Sequence, residues 1–144
     1  MRITLAFLLL LVSFANVSAQ QSSDECGTPR QPEGVLVVAF RVLDTAEMSY
    51  NDVNHRFATV SELVGSDETK KLLINVYRRY SQPADGSVEI VSADDPLPGY
   101  EVHSIVGADG KSYSITATKK DGPCRGIGAA TDERCLIYLI EPLR

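Results

Sequence analysis

Apolar positions change their period twice along this chain. From Leu5 to Phe14 they run almost unbroken, with only Ser13 interrupting. Met1-Arg2 precedes this block, and the small residues Val17-Ser18-Ala19 follow it, so residues 1–19 are expected to be a cleaved secretory signal. At ~1.5 Å per residue in a helix, the block is too short to span a hydrocarbon core of ~30 Å. No second apolar run approaches the length of a membrane span, so none is expected once the signal is removed.

Residues 20–32 are rich in Gln, Ser, Asp, Gly and Pro and read as a flexible leader. Then helical spacing takes over. Val35, Leu36, Val38, Ala39, Val42, Leu43, Ala46 and Tyr50 repeat at intervals of three and four, which predicts an amphipathic helix from about residue 33 to Tyr50. Arg41, Asp44, Glu47 and Asn51 are assigned to its solvent face. The polar stretch Asn51 to Arg56 is expected to turn the chain. Thr59-Val60-Ser61-Glu62 has the spacing of a capping box and predicts a short helical turn ending at Gly65. A further helix is expected from Asp67 to Tyr80, with Leu72, Leu73, Val76, Tyr77 and Tyr80 at helical spacing.

After Pro83 and Asp85-Gly86 the period shortens to two. Ser87 to Val91, Tyr100 to Val106, Lys111 to Thr118 and Cys135 to Ile140 read as strands. Asp109-Gly110 lies between the second and third of these, where it signals a hairpin. Helices first and strands afterwards predict an α+β domain over residues 33–144, with the long N-terminal helix laid on an antiparallel meander of three or four strands.

Removing 19 of the 144 residues leaves 125, the size of one domain. Arg2 leaves with the signal, so 13 basic and 19 acidic residues remain, a net charge of −6. Such a surface repels phosphate backbones, and the basic residues are scattered pairs, so nucleic-acid binding is not expected. Export would place Cys26, Cys124 and Cys135 in an oxidising compartment. Three cysteines allow three single bridges. The expected one is Cys124–Cys135, which would staple the loop between them and contribute on the order of 2–3 kcal/mol in the chain-entropy model. Cys26 would be the leftover cysteine.

Catalytic constellations are hard to find. His55 and His103 stand alone, and neither C-x-x-C nor H-E-x-x-H occurs. No serine lies in a G-x-S-x-G elbow. Gly126-Ile127-Gly128 lacks the third glycine of a dinucleotide fingerprint. Asp94-Asp95 and Asp132-Glu133 have no calcium-loop pattern. No catalytic residue, metal or cofactor is therefore expected.

Several segments carry a resemblance. Arg41 to Tyr50 leads through Phe57-Ala58-Thr59 into the turn Val60-Ser61-Glu62-Leu63. Later come Gly99-Tyr100-Glu101-Val102, then Asp109 to Thr118, then the acidic turn Asp132-Glu133 and the segment with Tyr138. Over roughly residues 33–142 this order resembles the globular domain of type IV pilin-like proteins. The resemblance implies a helix-on-meander fold. It also departs from the family, whose subunits carry a prepilin leader and a long apolar helix for anchoring and assembly. The implied function is an exported, non-enzymatic module acting through a protein partner, periplasmic or extracellular, possible roles including an accessory of a pilus or secretion complex. The competing reading is a small secreted enzyme or protease inhibitor that uses the 124–135 loop.

Overall fold

The computed structural model of the chain describes residues 31–80, 91–122 and 124–141. The expected signal, the leader before residue 31, Cys26 and most of the expected strand at 87–91 lie outside these residues. Three helices come first: α1 (Gln31–Asn54), α2 (Val60–Val64) and α3 (Asp67–Tyr80). Four strands follow: β1 (Tyr100–Val106), β2 (Tyr113–Lys119), β3 (Gly128–Asp132) and β4 (Tyr138–Ile140). They form one antiparallel sheet in the order β1-β2-β3-β4. The α+β class and the helix-plus-meander architecture read from the sequence are those of the structure.

Helix α1 runs one turn further than its apolar spacing predicts. Nothing in Asn51-Asp52-Val53-Asn54 breaks a helix, and the Asn54 side-chain amide donates to the Tyr50 carbonyl at 2.9 Å. The stop comes at His55, in the left-handed region with φ 57°. That conformation is a common way to leave a helix, and it satisfies a terminal carbonyl through His55 N–H to Asn51 O at 2.8 Å. Helix α2 begins with the expected capping box. The Glu62 N–H donates to Thr59 Oγ1, and the Thr59 N–H donates to Glu62 Oε2 at 2.8 Å.

The hairpin between β1 and β2 turns at Asp109-Gly110, where Gly110 supplies a φ of 68°. Phe57 N–H donates to Gly110 O at 2.9 Å, which fastens the connection after α1 to this turn. Tyr113, Ile115 and Ala117 of β2 face inward, together with Ala129 and Thr131 of β3. Leu36, Ala39, Phe40 and Leu43 of α1 pack in the same core, which Leu73 and Val76 of α3 extend on one side and Leu97 and Val91 on another. Each fully buried Leu, Ile or Phe removes enough apolar surface from water to contribute roughly 1.5–3 kcal/mol.

Strand β3 is built from small residues. A Cβ on Gly128 would land on the Ala117 carbonyl oxygen and 2.9 Å from Thr118 Cγ2. Its absence lets β3 draw close to β2. The long expected strand at 135–140 is shorter in the structure: Cys135 has a φ of 56° and sits in the turn from Asp132, and only Tyr138–Ile140 pairs with β3. Left-handed backbone at Cys135 cannot continue a strand ladder.

Candidate functional site

Two carboxylates lie inside the molecule on α1. Asp44 and Glu47, expected on the solvent face, are both buried, and Glu47 is 0% exposed. The reason is angular. Glu47 follows Leu43 by four residues and Phe40 by seven, and Asp44 follows Phe40 by four, so both fall on the stripe that faces the core. The fully buried Phe40 is a part of that stripe which the expected apolar set leaves out.

Asp44 is well supplied with partners. The Tyr113 hydroxyl donates to its Oδ1 at 2.9 Å. The Thr131 hydroxyl lies 3.0 Å from both Oδ1 and Oδ2. Burial pushes the Asp44 pKa up, the Tyr113 and Thr131 hydroxyls pull it down, and Asp132 pushes it up. Tyr113 in turn is raised, first by burial and then by its bond to Asp44. Its ring stacks at a tilt on Phe57, with centroids 4.8 Å apart. The Tyr113 oxygen also lies 3.9 Å from Cys135 Sγ.

Glu47 is poorly supplied. Its Oε2 accepts the Ala58 N–H at 2.9 Å, and Oε1 has no partner among the described residues. Burial pushes its pKa up to about 7. The Ala58 bond opposes this, Asp44 and Glu62 add to it, and Arg56 opposes it. Close by at the surface, Arg56 bonds Glu62 Oε1 at 2.8 Å and Tyr50 Oη at 2.6 Å. The Arg56 bond, reinforced by the capping box, lowers Glu62 to about 2.

The cysteines correct the expectation. Cys135 is a free, exposed thiol, whereas Cys124 is buried and disulfide-bonded. The bridge Cys124–Cys135 is therefore not formed. Nor is the segment between them a free loop, because Gly128–Asp132 is strand β3, hydrogen-bonded on both sides. The periodicity misses this strand: Gly-Ala-Ala-Thr-Asp has neither apolar alternation nor many β-branched residues.

The other candidates are dispersed. His103 is on the outer face of β1, 3.4 Å from Glu101, and His55 is exposed at the end of α1. Asp95 pairs with Lys120 at 3.3 Å and Asp132 with Arg134 at 2.6 Å, so cationic side chains already occupy these acidic loops. Among the described residues no three or more His, Cys, Asp or Glu side chains gather as a metal site. No helix among them is long and apolar enough to cross a membrane.

One surface feature stands out. Leu136, Tyr138 and Leu139 are 48%, 46% and 52% exposed, on and just before β4, the last strand of the sheet. Among the described residues β4 pairs with β3 alone, and the terminal strand of a sheet is a template for strand addition. Compared with protein-family models, curated proteins and solved structures, the chain has no match.

Proposed function

We propose that this chain is an exported, non-enzymatic, pilin-like module that works by protein contact, and that β4 is its contact edge. The observation that carries this reading is that Leu136, Tyr138 and Leu139 are exposed on and just before β4, which ends the sheet order among the described residues. Exposed apolar residues along the terminal strand of a sheet suit strand addition. A disulfide at Cys124 fits an oxidising compartment, in keeping with the apolar leader of residues 1–19. The helix-then-meander order fits the pilin-like resemblance. The protease-inhibitor alternative loses its cue, since the 124–135 segment is not closed by its own two cysteines.

The test is site-specific photo-crosslinking with the probe residue at position 139 in the native cell envelope, in the otherwise wild-type chain and in the Leu136→Asp/Tyr138→Asp variant. A discrete protein adduct that disappears in the folded variant is expected. No adduct at position 139, or an adduct indifferent to the double substitution, would overturn the contact edge.

A further inference from the structure

We propose that Glu47 is an acid-tightened latch, holding the 55–59 connection against α1 more firmly as the pH falls below neutrality. This conformational device goes beyond the contact function and does not depend on it.

The geometry comes first. Glu47 is completely buried, with one oxygen bonded to the Ala58 N–H and the other without a partner among the described residues. As a neutral acid it leaves one hydroxyl unsatisfied. As a carboxylate it leaves a charge in an apolar interior, which costs far more. The groups around it act in both directions. Asp44 of α1 and Glu62 of α2 repel it, while the Ala58 N–H and, more weakly, Arg56 of the 55–59 connection favour it, and burial outweighs both. The Arg56 guanidinium is already committed to Glu62 and Tyr50. From the sheet, Tyr113 and Asp132 act on Asp44.

What lies over Glu47 is the stretch containing Phe57 and Ala58, which has no regular structure. It is attached by the Phe57 N–H to Gly110 O, the Ala58 N–H to Glu47, the surface bonds of Arg56, and the buried Phe57 ring stacked on Tyr113. In the proposed opening this stretch lifts, Phe57 and Ala58 leave the core, and water reaches the carboxyl. Once wetted, Glu47 returns to its ordinary value of 4.5, against about 7 when covered.

The direction follows from linkage. The closed form holds the proton more tightly, so acid favours closure. Between pH 4.5 and about 7 the open-to-closed ratio grows about tenfold per pH unit, and outside that window it is flat. The whole swing is roughly 300-fold. A two-state segment biased by one proton in this way is a population shift, steepest just below neutrality.

Amide hydrogen exchange of the full chain, followed residue by residue from pH 5 to pH 8.5, tests this. Intrinsic exchange accelerates about tenfold per pH unit, so an ordinary amide shows a logarithmic slope of about 1 when opening is pH-independent. At Phe57 and Ala58 the expected slope is about 2 from pH 5 to about 6.5, returning to about 1 above pH 7.5. These amides should also exchange at least tenfold faster than those of Ile115 and Ala117 in β2, which marks the opening as local. In Glu47→Gln the slope at Ala58 should be about 1 throughout. A wild-type slope near 1 below pH 6.5, or exchange at Ala58 no faster than in β2, overturns the latch. So does a slope near 2 that persists in Glu47→Gln. Should that variant fail to fold, the wild-type profile with β2 as internal reference still decides.

Discussion

Replacing Tyr113 with Phe removes a single oxygen from the centre of the molecule. The ring can stay where it is, stacked on Phe57. Asp44 Oδ1 loses its 2.9 Å bond and keeps only the Thr131 hydroxyl. A hydrogen bond to a charged partner contributes about 1.5–3 kcal/mol and one between neutral groups about 1 kcal/mol. The expected cost is therefore about 2 kcal/mol when Asp44 is ionised and about half that when it is protonated. The pH dependence has a definite sign. Burial raises the Asp44 pKa above its unfolded value of 3.8, so stability declines as pH rises from there and levels off above the folded pKa. The Tyr113 hydroxyl lowers that folded pKa, so the variant's must be higher and its decline must extend further. The deficit of Tyr113→Phe should therefore be larger at pH 8 than at pH 4. Urea unfolding followed by far-UV circular dichroism at both pH values measures it, since the chain has no Trp to report by fluorescence. At pH 8 the melting temperature should fall by roughly 5–12 °C. Because both hydroxyls serve one carboxylate, Tyr113→Phe should cost more in a Thr131→Val background than alone. A deficit under about 0.5 kcal/mol at pH 8, or one that shrinks as pH rises, would refute the reasoning.

Gly128→Ala should destabilise by about 2 kcal/mol or more in the same assay, because the new methyl meets the β2 backbone rather than a movable side chain; unchanged stability would mean that the two strands have slack. Native alkylation followed by peptide mapping should label Cys135 and leave Cys124 protected until reduction, and label on Cys124 without reductant would contradict the assignment.

Much of the fold is legible in the sequence, and the gaps have physical causes. Helix α3 is read to the residue, Asp67–Tyr80, because its apolar spacing, acidic first turn and basic last turn agree. The hairpin of β1 and β2 follows from alternation around Asp109-Gly110. Strand β3 is illegible because the centre of this sheet requires small side chains, and small side chains carry no pattern. Asp44 and Glu47 are hard to read as buried because their residue type points to water while their angular position points to the core. Burying a carboxylate is costly, so charged residues are assigned to water by default. Their placement shows only when the wheel is drawn through Leu36, Phe40 and Leu43. The disulfide partner of Cys124 is likewise not deducible from spacing, since a bridge to either of the other two cysteines closes an acceptable loop.

The bonds that Tyr113 and Thr131 make to Asp44 join residues 69 and 87 positions apart in sequence. Strand-to-strand pairing in the meander needs no such reach, so the buried polar contacts of α1 wait for the sheet even where α2 and α3 already pack on the helix. Until then Asp44 and Glu47 are hydrated and ionised at neutral pH, where they end the apolar run of the stripe formed by Leu36, Phe40 and Leu43. A newly made helix whose stripe stayed apolar through these two positions would adhere to other chains. Two negative charges act there as gatekeepers against aggregation. The desolvation that they cost the finished domain is the counterpart of solubility in the unfinished one.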